Sequence, residues 1–148
     1  MRLSLFLADY AAADGRGKVN AIGLGWTTIT TPLPAFGVVI FLDIDWSETN
    51  QPHRVTCELL TDDGQPVLIP GPVGSQRLRF EVGVEAGRPP GTIHGTSLRS
   101  PLTVNVGAGV PLPPGRYQWR ASVAGFDEAT ATESFLVHAA PNAPVNPA

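Results

Sequence analysis

The sequence predicts an all-β fold, a single antiparallel β-sandwich of about eight strands over residues 1–138 followed by a flexible Pro- and Ala-rich tail over 139–148. Three observations predict it. Apolar residues recur at every second position in short runs, the period of a half-buried strand. Turn residues separate those runs at the spacing of a sandwich. And 16 glycines and 15 prolines among 148 residues leave no helix of ordinary length uninterrupted. With 43% apolar residues and a net charge of -3, the chain can bury one core and is too apolar for full disorder. Glycine lacks the three-residue period of collagen.

The first strand is marked by Leu3, Leu5 and Leu7. The same segment, Met1 to Ala13, imitates a signal peptide, with Arg2 before an apolar run and Ala11-Ala12-Ala13 after it. Ser4 and Asp9 leave that run shorter than the usual apolar region of about 7 to 15 residues, so synthesis inside the cell without membrane insertion is the expectation. Asp14-Gly15-Arg16-Gly17 reads as a turn, and Lys18 to Thr31 as one long or bent strand in which Gly23 and Gly25 mark a bulge or a close backbone approach. Pro32 and Pro34 end it. Gly37 to Trp46 is the most apolar strand, with Val38, Ile40, Leu42, Ile44 and Trp46 on one face and Val39, Phe41, Asp43 and Asp45 on the other, its first half covered on both sides.

His53 to Thr61 follows with Val55, Cys57 and Leu59 inward, and Asp62-Asp63-Gly64-Gln65 is the strongest hairpin signal in the chain. Val67 to Ile69 reads as its short partner, ended by Pro70-Gly71-Pro72. Gln76 to Val84 is the next strand, with Leu78, Phe80, Val82 and Val84 inward. Glu85 to Ser100 reads as a long loop with room for one short extended piece, the kind of segment in which binding concentrates. Leu102 to Val106, then Arg116 to Val123 with Tyr117, Trp119, Ala121 and Val123 inward, then a hairpin loop over Ala124 to Ala129 and a last strand from Thr130 to Val137 complete the domain.

Few residues carry a signal of chemistry. Ten basic against thirteen acidic residues give no clustered positive charge for nucleic acid or an anionic membrane, and no stretch reaches the roughly 18 apolar residues of a membrane-spanning helix. The lone Cys57, inside an alternating run, reads as a small core hydrophobe. Asp43 and Asp45 could present two carboxylates to a cation or a scissile bond, but no partner residue is fixed nearby in sequence, and a solvated strand end is the simpler reading. His53, His94 and His138 show no metal-ligand spacing. His94, among Thr92, Thr96 and Ser97, could act as a base beside a hydroxyl and reads more simply as loop polarity. Gly71-Pro72-Val73-Gly74-Ser75 has Val73 where a nucleophile elbow needs serine. The glycines of 15–17 and 23–25 open no helix and so make no phosphate cradle. No catalytic, cofactor or metal residue is assigned.

The segments Leu5-Phe6-Leu7-Ala8-Asp9-Tyr10-Ala11 and Gly17-Lys18-Val19-Asn20-Ala21-Ile22-Gly23-Leu24-Gly25-Trp26-Thr27, with the later Leu112-Pro113-Pro114-Gly115-Arg116-Tyr117-Gln118-Trp119, resemble an uncharacterised family of small all-β proteins from GC-rich bacteria and their phages. The resemblance spans Leu3 to Val137, and its ending is similar to the last two strands of immunoglobulin-like sandwiches. It implies a fold and a broad context, in bacteria or their phages, and carries over no catalytic residue. The expected function is therefore non-enzymatic: a virion component, such as a capsid decoration or accessory protein, docking on a major capsid protein or another virion protein. Its expected location is the virion if phage-encoded and otherwise the cytoplasm. A homo-oligomer is compatible with that role. The expected contacts are the N-terminal strand, the loop Glu85 to Ser100 and the tail. The alternative is a carbohydrate- or ligand-binding module in which Trp26 and Trp46 stack on a sugar.

Overall fold

The computed structural model describes residues 1–141; from 142 onward the expected tail lies outside the described residues. Among the described residues the fold is all-β, with twelve strands in four sheets. In chain order they are β1 (Arg2–Ala8), β2 (Tyr10–Ala13), β3 (Val19–Ile22), β4 (Thr28–Thr30), β5 (Phe36–Ile44), β6 (His53–Thr61), β7 (Leu68–Gly71), β8 (Gly74–Arg77), β9 (Arg79–Val84), β10 (Leu98–Val106), β11 (Gly115–Val123) and β12 (Phe126–His138). Three form a sheet of order β1-β5-β10 and five a sheet of order β4-β12-β11-β6-β9, while β2-β3 and β7-β8 are two-stranded ribbons. The expected eight strands are thus corrected to twelve: eight lie in the two larger sheets, and four form the ribbons.

One core joins the larger sheets. Leu3, Leu5 and Leu7 of β1 and Val38, Ile40, Leu42 and Ile44 of β5 pack in the same cluster as Val55, Cys57 and Leu59 of β6 and Tyr117, Trp119, Ala121 and Val123 of β11. These are the alternating positions read from the sequence, because successive strand residues point to opposite faces. Trp119 is fully buried, with its ring 6.2 Å from Phe36 and 6.1 Å from Phe80. The Tyr117 hydroxyl donates to the Pro113 carbonyl at 2.6 Å.

The missed strands lie where the chain leaves the sheets. Ala11 to Ala13, read as part of a pseudo-leader, belong to β2, which turns back at Asp9 and pairs with β3 so that Tyr10 stands opposite Ile22 and Ala11 opposite Ala21. This ribbon folds over the outer face of the three-stranded sheet. Ala8, Ala11 and Val39 make a second small buried cluster with Val19, Ala21 and Phe41 against it, which gives β5 its cover on both sides. Asn105 of β10 fastens the ribbon by accepting from the Ala11 N–H at 3.1 Å and donating to the Ala11 carbonyl at 2.7 Å. Gly37 permits the approach: a Cβ there would lie 2.8 Å from Asn105 Oδ1 and 3.2 Å from the Ala11 nitrogen.

Lys18 to Thr31 serves two sheets, but as β3 and β4 rather than as one strand. Gly23 and Gly25 take φ of +62° and +91°, a left-handed backbone that breaks strand pairing and that side chains disfavour. Gln76 to Val84 likewise divides at Leu78, with β8 in the ribbon and β9 on β6. The turn at Asp62–Gln65 forms, with the Thr61 N–H donating to Gln65 and the Val67 N–H to Leu59, yet Leu68–Gly71 pairs with β8 instead of with β6. Pro70 and Gly71, expected to end a strand, sit inside this ribbon, where proline's missing donor is tolerated at an edge. The loop after β9 is shorter than expected, because Leu98–Ser100 already pair with Ile44–Leu42. The final hairpin turn is also tighter: β12 begins at Phe126, after Gly125 at φ +82°.

Candidate functional site

The sequence-selected polar residues are dispersed. Asp43, on β5, stands opposite Arg2 of β1 and Arg99 of β10 in register. Arg99 donates from Nε to Oδ1 at 2.7 Å and from Nη2 to Oδ2 at 3.0 Å, and Arg2 donates from Nη2 to Oδ2 at 2.8 Å. The Arg99 hydrogen bonds, reinforced by Arg2 and opposed by partial burial, hold the Asp43 carboxyl below its usual range. Both its oxygens are therefore committed to arginines. Asp45 is exposed at the end of the same strand. Arg99 also lies over the Phe41 ring at 4.8 Å, and Phe41 meets Phe6 edge-on at 6.4 Å. The cluster is a cross-strand clamp. Asp43→Asn should lower stability by about 1 kcal/mol at neutral pH, a bidentate pair being stronger than an ordinary surface one. Because the folded-state pKa lies below the unfolded one, this contribution is complete above the ordinary carboxylate range and disappears as pH falls through the depressed value. Urea unfolding at neutral and strongly acidic pH checks it: the gap between wild type and variant should close in acid.

Trp46 corrects another expectation. It leaves β5 and opens a single 3-10 turn, Trp46–Glu48. Arg88 from the loop after β9 covers its ring at 3.9 Å, donating also to the Trp46 carbonyl at 2.7 Å and to Thr49 Oγ1 at 2.6 Å. The His94 ring lies 4.9 Å from the same indole. Trp26 packs edge-on between Phe36 at 5.8 Å and Phe135 at 5.6 Å. Both indoles thus already have ring partners within the protein.

His53 is buried against the Glu48 carbonyl at 2.7 Å and the Phe126 ring at 5.5 Å. Burial pushes the Cys57 thiol up to about 12, which leaves no thiolate for nucleophilic attack at neutral pH. Glu133, opposite Trp119 in register, has its carboxyl pushed up by desolvation. Among the described residues no group of three His, Cys, Asp or Glu side chains converges as a metal site would require. No hydrogen bond among them links Asp43, Asp45 and His94.

What the fold does assemble is apolar and exposed. On the β2-β3 ribbon, Tyr10 and Ile22 form a cross-strand pair, 54% and 68% exposed, and Leu24 projects between Gly23 and Gly25. The turn is fixed by Asp9 N–H to the Ile22 carbonyl at 2.8 Å and Gly25 N–H to the Leu7 carbonyl at 2.6 Å. A side chain at Gly23 would run into the Asp9 carboxylate. On the other ribbon, Leu68 is exposed and Val73, at the hairpin tip, is fully so. That ribbon is tied to the five-stranded sheet by the Arg77–Glu58 ion pair. Ile93 is exposed in the loop that Arg88 anchors. Of these surfaces, only the loop is marked in the sequence by its length and composition. The ribbons carry a subtler signal, an apolar residue beside turn glycine, Gly23-Leu24-Gly25 and Pro72-Val73-Gly74, where no strand face can hide it.

The fold and these surfaces define an all-β protein in which two core-sharing sheets carry projecting ribbons with apolar tips. The chain belongs to a family of unknown function, DUF6941, which matches residues 3–133. No curated protein matches it. Among the described residues no helix is long and apolar enough to cross a membrane.

Proposed function

We propose that the protein is a non-enzymatic docking module. Its two sheets serve as a rigid scaffold, and its ribbons and the Arg88-anchored loop meet a protein surface. The observation that carries this reading is the Tyr10–Ile22 pair with Leu24 beside it: three large apolar side chains held outward by a fastened ribbon. Adjacent exposed apolar groups of this kind cost solubility and mark contact sites, and the rigid support lowers the ordering cost of binding. The engagement of Asp43 by two arginines and the burial of Cys57 favour a binding role over a catalytic one.

The finer reading is an immunoglobulin-like sandwich acting as a virion component, a capsid decoration or accessory protein. For the fold, the support is strand order. β1, β5 and β10 take the places of strands A, B and E, and β12, β11, β6 and β9 those of G, F, C and C′. The Tyr117–Pro113 bond at the start of β11 has the form of a tyrosine corner, and Trp119 stands where such domains carry the second bridging cysteine. For the context, the support is the resemblance of the Leu5–Thr27 region to phage-encoded sequences. Mass spectrometry of particles purified from the source tests it: the protein should be present in fixed ratio to the shell protein, and consistent absence overturns the virion reading.

A further inference from the structure

We propose that two copies of this chain join edge to edge through β9, antiparallel about a twofold axis at Val82, merging their five-stranded sheets. The inference stands independently of the docking reading, because it uses a different edge of the molecule.

An edge strand exposes a row of unpaired amides, and proteins usually blunt such edges. Here most are blunted. β10 carries Pro101 and is bound by the β2-β3 ribbon through Asn105. β4 has only three residues. β1 and β12 approach each other where the larger sheets meet. β9, six residues long and free of proline, has β6 on one side and, among the described residues, no strand on the other.

The register shows which amides face out. Cys57 stands opposite Phe80 and Val55 opposite Val82, and the Leu59 N–H donates to the Leu78 carbonyl at 2.9 Å. Hydrogen-bonded pairs alternate in an antiparallel ladder. Leu78, Phe80, Val82 and Val84 therefore bond to β6, and Arg79, Glu81 and Gly83 direct their N–H and C=O groups away from the sheet. The Ala124 N–H donating to the Arg54 carbonyl agrees, since it places Arg54, opposite Gly83, with its polar groups on the far side of β6.

Charge selects a second copy as the occupant. A twofold at Glu81 would set Glu81 against its own image. One at Phe80 would draw in Arg77, which belongs to the β7-β8 ribbon. A twofold at Val82 uses all of β9: Glu81 faces Gly83 of the other copy, Arg79 faces Glu85, and the half-buried Phe80 and Val82 gain cover from Val84 and Val82 of the other copy. Arg79 and Glu85 lie at equal distances from Val82 in sequence, so the edge complements itself, and opposite charges facing across strands are favourable. The contact is small, and the dimer should be weak and concentration-dependent.

Sedimentation of the full chain over a dilution series tests this. Wild type should pass from the 15.6 kDa monomer to twice that mass. Gly83→Pro removes an outward N–H that the ladder to β6 does not use, and should weaken association about tenfold or more while circular dichroism stays unchanged. Arg79→Glu should weaken it as well, and Arg79→Glu combined with Glu85→Arg should restore it whether or not the proline variant folds. A wild type that stays monomeric throughout overturns the proposal. So does a dimer that neither Gly83→Pro nor Arg79→Glu weakens, or a charge swap that fails to restore association.

Discussion

Trp119→Ala should destabilise the protein by about 3–5 kcal/mol, the range for deleting a large buried aromatic, which is a large share of the roughly 5–15 kcal/mol total stability of a domain. The reason is position. Trp119 sits mid-strand on β11, fully buried, flanked by β6 and β12, with Phe36 reaching it from the three-stranded sheet and Phe80 from β9. Its ring thus links the two sheets through Phe36 and Phe80. Its indole N–H has no hydrogen-bond partner among the described residues, so Trp119→Phe, which removes that unpaired donor together with less volume, should cost markedly less than the alanine change. Equilibrium unfolding in urea gives both values. Near-equal effects, or a small loss for alanine, would show that the two sheets do not depend on this ring.

Gly37→Ala should cost about 2 kcal/mol, the scale of overpacking a close contact, and the loss should be focused on the β2-β3 ribbon. The new methyl group would meet Asn105 Oδ1 at 2.8 Å and the Ala11 nitrogen at 3.2 Å, and Asn105 cannot swing aside without giving up both its bonds to Ala11. Hydrogen exchange should therefore accelerate at Ala11 and Ala21 more than at β11. A uniform change, or a gain in stability from replacing a strand glycine, would mean that the ribbon is not held by this approach.

Much of the fold was legible because burial in a strand has period two. Leu3, Leu5 and Leu7, or Tyr117, Trp119, Ala121 and Val123, could face only one core. What period two does not carry is which strand pairs with which. The divisions at Gly23–Gly25 and at Leu78 separate strands by sheet, and that depends on partners distant in sequence, such as Asn105 for Ala11 or Arg77 for Glu58. The short ribbons escaped for a related reason: Tyr10–Ala13 is four residues, three of them alanine, and reads as part of the leader-like run before it.

The candidate site was less legible than the fold. Asp43, Trp46 and His94 stand out by residue type, and the structure engages them in a clamp and a loop anchor, while the exposed surface falls to residues whose type announces nothing. Ile22 and Leu24 would be core residues in almost any strand. Ile22 faces outward because the ribbon turns its other face, with Ala21, onto the sheet, and Leu24 because it sits in the turn that the two glycines impose.

Retention on purified particles tests the proposed docking on a virion shell most directly. Particles from the source should be incubated with purified wild type and with the variant carrying Ile22→Asp and Leu24→Asp, two exposed positions whose change leaves the core untouched, and the bound protein quantified after washing. The account predicts that wild type is retained and that the double variant, folded by circular dichroism, loses at least about tenfold in affinity, as hot-spot truncations do. Equal retention of both, or of neither, would contradict it.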